Sequence, residues 1–322
     1  MQIVNSSLIA GKKVLLRYDI DVQITDGKVT EDFKLKAGLP TLNLCLQNAE
    51  AVILMGHVGR PEGKVVPELS IEPIRKWFWG QGFSRANFRI LENLRFDPRE
   101  EAGDLSFAKE LAAMGDIYIN EGFGSYRPAV STTILPTLLP HAAGLRFAEE
   151  VRILGEVRDH SVKPFIAIIG GAKVVDKLPV IEVLAQKADV VLVGGKLISE
   201  IREQNLDLPK NVLVGMLNGD GFDIAAETVS AWNNLISKVA MIVWNGPLGK
   251  FEDPKNDATK KIARIILDSG AQAVIGGGDT VAALSQYGLL QKAQEKAFVS
   301  VGGGAMLKLL ADGTLPTIEV LL

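Results

Sequence analysis

The sequence predicts an α/β protein made of two doubly wound parallel sheets, each covered by helices, joined by a helix. Three observations carry that expectation. Short apolar runs alternate with longer amphipathic stretches along most of the 322 residues. The runs are apolar at consecutive rather than alternate positions, as in strands buried on both faces. And a chain of this length suggests two domains, or one large one, with ample material for a buried core.

In order, strands are expected at 14–20 (VLLRYDI), 51–57 (AVILMGH) and 116–120 (DIYIN), then at 165–171 (FIAIIGG) and 189–195 (DVVLVGG). Three more lie at 241–246 (MIVWNG), 273–278 (AVIGGG) and 298–304 (FVSVGGG). Helical periodicity fills 34–48, 71–80, 104–114, 176–187, 225–238 and 256–269. The charged stretch 147–162 (FAEEVRILGEVRDHSV), closed by Pro164, reads as the connector. The expected division is 1–147, a connecting helix 148–162, a second domain 163–308 and a returning segment 309–322.

Composition narrows the function. Lys plus Arg number 35 against 38 Asp plus Glu, a formal charge of −3. A general nucleic-acid binder would carry a basic excess. Cys45 is the single cysteine, so no internal disulfide can form and a reducing compartment is expected. With only three histidines, soft ligands are too few for a zinc cluster. The first residues lack the pattern of a signal peptide, and no apolar run nears the roughly 20 residues that span a bilayer. The expectation is a soluble cytoplasmic protein with neither nucleic-acid nor membrane partners.

Strand ends differ between the halves. In the second half, GGAKVVDK (170–177), VGGK (193–196), GGGDT (276–280) and VGGGAM (301–306) come after strands. Ligands bind beyond the carboxyl ends of parallel strands. Glycine lets the backbone approach an anion there, and a helix that starts at the turn offers unpaired N–H groups. Four such turns, two with a lysine, predict a phosphate-binding surface. Neither a P-loop nor a G-x-G-x-x-G fingerprint is present, and a G-x-S-x-G elbow is missing too. Asp279 in GGGDT serves equally as an N-cap or as a hard oxygen ligand for Mg²⁺. In the first half, strand ends carry Arg17, Asp19 and Asp21, then His57 and Arg60, Arg95 and Arg127. Arginine forks suit a phosphate or carboxylate. Together the halves predict phosphoryl transfer between two anions.

These residues resemble the phosphoglycerate kinase family. The resemblance runs from the first strand to the last residues and keeps motif order: HVGRP (57–61), LENLRF (91–96), GGAKVVDK, WNGPLGKFE (244–252), GGGDT and VGGGA (301–305). It implies two α/β domains around a cleft, and reversible Mg²⁺-dependent transfer between 1,3-bisphosphoglycerate and ADP to give 3-phosphoglycerate and ATP. Carried over by position, Asp19, Asp21, Lys34, His57, Arg60, Arg95 and Arg127, with Arg17 and Lys163, would bind the phosphoglycerate. Lys173, Lys177, Gly194, Asn245, Glu252, Gly277, Gly278, Asp279 and Thr280 would bind nucleotide, Asp279 serving the metal. Lys34, Lys177 and the amides of Gly302, Gly303 and Gly304 would act on the transferring group. A monomer that closes by a hinge is implied as well.

The chain also departs from the family. It is shorter, with a loss between the VLVGG strand and 221–228 (GFDIAAET). Lys34 and Lys163 stand where arginines are usual, Asp21 where Asn is, Tyr126 where a histidine is, and Lys250 where a small apolar residue is. Arg-to-Lys keeps the charge but loses the fork. A slowed enzyme is the expectation. A non-catalytic descendant that binds phosphoglycerate or nucleotide as a sensor or scaffold is the alternative.

Overall fold

All five residues of the run Phe165–Ile169 are buried, so a strand made of them needs cover on both faces. The computed structural model, which describes residues 1–83, 86–172 and 174–322, builds both sheets on runs of this kind. The chain divides into unit 1, Met1–Arg152 with Thr314–Leu322, and unit 2, Ile153–Gly313.

Unit 1 holds strands β1 (Lys13–Arg17), β2 (Ile24–Thr25), β3 (Lys28–Val29), β4 (Ala51–Met55), β5 (Phe88–Ile90), β6 (Ile117–Asn120) and β7 (His141–Ala143). Its main sheet is parallel with order β5-β4-β1-β6-β7. Arg17 therefore lies beside Met55 on one side and Asn120 on the other. Leu16, Leu42, Leu54 and Phe78 are in the core beneath it. Phe78 packs edge-on against Tyr18, Trp77, Phe83 and Phe88. Burying one such ring contributes about 1.5–3 kcal/mol.

Unit 2 holds β8 (Phe165–Ile169), β9 (Val190–Val193), β10 (Val212–Val214), β11 (Met241–Asn245), β12 (Gln272–Gly276) and β13 (Phe298–Val299). They form one parallel sheet, β10-β9-β8-β11-β12-β13. In both units the chain starts at a central strand, winds outward on one side, then returns to the other side. The point of reversal, β1/β6 in unit 1 and β8/β11 in unit 2, is where such sheets hold ligands.

Several elements differ from the sequence reading. The helix expected over 34–48 is two, Phe33–Ala37 and Leu39–Asn48. They part at Gly38, where the Tyr18 ring fills the space of a side chain, while Tyr18 Oη donates to the Leu35 carbonyl at 2.6 Å. Strand 298–304 stops at Val299, because the glycines after it open the helix Gly303–Asp312. The small β2–β3 hairpin, unexpected from sequence, turns at Asp26–Gly27 with both φ angles positive, the geometry of a type I′ turn. Trp79, on the helix Glu72–Gly80, is 48% exposed. The connector is Leu145–Asp159, and the boundary between units falls within it, after Arg152.

The start of that helix is capped from a distance. Buried Glu121 accepts the amides of Arg146 (3.1 Å) and Phe147 (3.2 Å), and the Thr41 hydroxyl accepts the Leu145 amide at 2.8 Å. Burial pushes the Glu121 carboxyl up to about 8 against the pull of these donors. Among the described residues, no helix is long and apolar enough to cross a membrane.

Candidate active site

In unit 1 the loops after β1, β4 and β6, three neighbouring strands, carry the polar residues expected to bind an anion. HVGRP is held from below by LENLRF. Asn93 Nδ2 donates to the carbonyls of Val58 (2.8 Å) and Leu69 (2.9 Å), and Arg95 Nη1 donates to the Gly59 carbonyl (2.8 Å). Arg95 Nε also pairs with Glu101 at 3.2 Å. From the other side, Asp21 Oδ1 accepts the Gly59 amide at 2.9 Å. Asp19 Oδ2 accepts the Gly124 amide at 3.1 Å and so ties the 121–127 loop to β1. Lys34 Nζ donates to the Asp21 carbonyl (3.0 Å) and lies 3.7 Å from Asp19 Oδ1. Burial opposes the Lys34 charge, but Asp19, Asp21 and Glu31 outweigh it and raise its pKa. Arg60 and Arg127 are exposed and have no polar partner among the described residues. Their forks are open to an anion.

Arg17 is the correction. It is 1% exposed, and its guanidinium donates to Ser131 Oγ (Nε, 2.9 Å), to the Tyr18 carbonyl (Nη1, 2.7 Å) and to His57 Nδ1 (Nη2, 2.9 Å). Arg17 therefore braces the loops and offers no fork to a ligand. His57 Nε2 lies 3.9 Å from Asp21 Oδ2.

In unit 2 the glycines bring backbone to backbone at the reversal point. Gly170 donates its amide to the Asn245 carbonyl and Gly171 to that of Pro247, both at 2.8 Å. A side chain on Gly246 would run into Gly170, and φ there is +94°. On the β12 side, a side chain on Gly303 would collide with the Gly277 backbone. That contact brings together the first turns of two helices, Gly278–Gln286 and Gly303–Asp312, with their unpaired N–H groups. Lys177 Nζ donates to Asn245 Oδ1 at 2.7 Å, and Asn245 Nδ2 donates to the Gly303 carbonyl at 3.3 Å. A lysine is thus tethered to the same place. Gly278, Asp279 and Gly304 are exposed there.

Some expected ligand residues are supports. Asn245 is 2% exposed and its side chain is spent on Lys177 and Gly303. Buried Thr280 accepts the Gly246 amide through Oγ1 at 2.8 Å, and Gly194 is packed under Leu248 and Trp232. Trp244 lies under the turn, donating to the Gly246 carbonyl at 2.9 Å. Lys163 needs correction too. It precedes β8, at the amino-terminal end of the unit 2 sheet, bonded to the Lys187 carbonyl and paired with Asp189 at 3.4 Å. That is the end opposite the glycine turns. Lys173 lies outside the described residues. Glu252 is exposed on the turn after GPLGK.

Asp279 fits a role toward Mg²⁺. Its exposed carboxylate has no polar partner among the described residues, and no cluster of three or more metal-ligating side chains is present among them. One hard oxygen suits an ion that keeps phosphate oxygens and waters as its other ligands. A groove of about 600 Å³ lies elsewhere, at the amino-terminal ends of β11, β12 and β13. Its lining mixes Glu156 and Glu295 with His160 and Lys296.

Sequence reasoning missed Glu100 and Ser131. The run DPREE (97–101) reads as an exposed helix start, yet Glu100 is buried and bonded to Ser131, the residue that holds Arg17.

Comparison with known proteins agrees with the geometry. The sequence profile described as "Phosphoglycerate kinase" matches residues 4–79, 81–212 and 210–313. The phosphoglycerate kinase of Herpetosiphon aurantiacus is 35% identical over 97% of this chain and 96% of its own length. That of a Roseiflexus species is 33% identical over the same shares. The first alignment spans 383 positions against 322 residues here, so the relative carries segments this chain lacks. The profile match breaks at 210–212, in the region where the sequence reads as shortened. The structure of phosphoglycerate kinase from Coxiella burnetii has a TM-score of 0.79 at 26% identity, covering 97% of this chain and 96% of its own. The enzyme from Pyrococcus horikoshii OT3, at 23% identity and a TM-score of 0.83, shares the fold with the same coverage.

Proposed function

The chain belongs to the phosphoglycerate kinase family, phosphotransferases with a carboxyl-group acceptor, and on that premise we propose its detailed reaction. An oxygen of the ADP β-phosphate attacks the phosphorus of the acyl phosphate of 1,3-bisphosphoglycerate. The bond from phosphorus to the carboxyl oxygen breaks, leaving the carboxylate of 3-phosphoglycerate and ATP. Both the attacking and the leaving oxygen are anionic, so no general base is needed. Catalysis is alignment and charge neutralisation.

The open forks of Arg60 and Arg127, with Lys34 and His57, hold the phosphoglycerate. Its phosphate then meets donors on the loops after β1, β4 and β6. The glycine turns of unit 2 hold the nucleotide. Gly303 and Gly304 aim their amides at the transferring group, Lys177 neutralises it, and Glu252 faces the nucleoside. Asp279 holds Mg²⁺, which when bound neutralises phosphate charge. Each unit binds one substrate in this reading, so transfer requires a motion that brings the two into line. A cytoplasmic monomer acting on small molecules completes the proposal.

The observation that carries this reading is the pairing of two helix N-termini across Gly277 and Gly303, with Lys177 tethered beside them through Asn245. The test is a coupled assay with 3-phosphoglycerate and MgATP on wild type and Lys177→Ala. Turnover in the wild type that collapses in the variant is the expected result. Ligand binding without turnover in both would support the sensor or scaffold alternative instead.

A further inference from the structure

Glu100 sits in the short helix Pro98–Ala102, 2% exposed, and takes no part in the phosphoryl transfer itself. Its Oε1 accepts from Ser131 Oγ at 2.5 Å and its Oε2 from the Ser131 amide at 3.1 Å. A hydroxyl has one proton to give. With that proton spent on Glu100, Ser131 Oγ is left to accept, and Arg17 Nε donates to it at 2.9 Å. A guanidinium can only donate. The 2.9 Å contact between Arg17 Nη2 and His57 Nδ1 therefore requires an unprotonated Nδ1, which leaves the ring proton on Nε2. The polarity of the Arg17–His57 contact is thus set by the guanidinium itself, while Ser131, held by Glu100, fixes where that guanidinium sits. Arg17 and Glu100 also balance one another's buried charge across the Ser131 hydroxyl.

We propose that Glu100 and Ser131 are positioning residues of the phosphoglycerate site: they aim Arg17, and through it hold His57 as the Nε2–H tautomer, a donor toward bound anion. In the opposite tautomer Nε2 would present a lone pair to that anion. The inference rests on the reading of unit 1 as the phosphoglycerate-binding unit. Burial keeps the His57 ring neutral, reinforced by Arg17, Arg95 and Lys34; Asp21, 3.9 Å from Nε2, is the acidic group on that side.

The chain has three histidines, so imidazole ¹⁵N spectra are readily assigned, with His57→Gln identifying the signal. In the wild type the His57 Nδ1 shift should be that of an unprotonated nitrogen from pH 5 to 8. Ser131→Ala and Glu100→Gln should each convert the signal to a tautomer mixture. Both should raise KM for 3-phosphoglycerate about tenfold, the worth of one hydrogen bond, and leave KM for ATP unchanged. Ser131→Thr, which keeps the hydroxyl, should restore both readouts. Ser131→Ala removes one oxygen only and covers the case in which Glu100→Gln does not fold. An Nε2–H tautomer and an unaltered KM in folded Ser131→Ala would overturn the proposal. A wild-type His57 signal unmoved by saturating 3-phosphoglycerate would overturn the underlying reading, independently of the tautomer result.

Discussion

At the reversal point of unit 1, β1 and β6 end side by side in Arg17 and Asn120; at that of unit 2, β8 and β11 end in Ile169 and Asn245. The winding of the two sheets is the same up to one extra strand, and both second strands close on an asparagine. Beyond those asparagines the two units part ways. Unit 1 fills its strand ends with buried polar side chains, Arg17, Asp19, His57, Asn93 and Glu121. Unit 2 removes side chains, so that Gly170, Gly246, Gly277 and Gly303 let backbone meet backbone. Topology supplies the location, and the chemistry comes from whether a side chain or a bare amide stands there. Unit 1 should therefore be sensitive to charge and hydrogen bonding, and unit 2 to volume.

The largest expected effect belongs to Lys177→Ala, which should lower kcat by about 10²–10³ while KM for 3-phosphoglycerate stays near the wild type. Steady-state kinetics with each substrate varied in turn will show whether the loss is confined to unit 2's ligand. Arg127→Ala should do the reverse. Removing one charged donor costs about 1.5–3 kcal/mol of binding, or roughly 10–100-fold in KM for 3-phosphoglycerate, with KM for ATP unmoved. Equal effects on both substrates would erase the distinction between the units. For volume, Gly303→Ala should destabilise by about 1–3 kcal/mol in denaturant melts, because the rigid Gly277 backbone cannot yield. Gly122→Ala in unit 1, whose nearest neighbour is the Arg17 side chain at 3.4 Å, should cost less. A separate effect is a slope in pH. The Glu121 carboxyl titrates near 8 folded and near its usual 4.5 unfolded, so the folded state binds the extra proton. Its contribution is complete below about pH 4.5 and is lost as pH rises to about 8, by at most about 1.4 kcal/mol per pH unit. Thermal melts from pH 5 to 9 should show that decline, flattened in Glu121→Gln.

The sheets and the glycine turns were legible in the sequence because each has a local cause: consecutive apolar residues, and glycines placed straight after them. Support residues were not. Nothing near Glu100 in DPREE indicates that Ser131, thirty-one positions later, will bury it, or that Arg17 will reach Ser131 across the sheet. Arg17, Arg60 and Arg127 look alike in a sequence, yet one is enclosed and two are open, a difference set by neighbours on adjacent strands. Lys163 differs from its expected role for a related reason: its position just ahead of β8 puts it at the amino-terminal end of the sheet, where Asp189 pairs with it. The helix break at Gly38 depends on the Tyr18 ring, another contact between distant positions.

The stretch Thr314–Leu322 groups with Met1–Arg152 and contributes buried Leu315, Thr317, Ile318 and Leu321. Its helix Pro316–Glu319 packs on the turn Val130–Ile134. A ribosome making this protein therefore delivers Ile153–Gly313 in full while the earlier-made half still lacks its final apolar patch. The half translated first is the half completed last, and cutting away those nine terminal residues would leave it permanently unsealed.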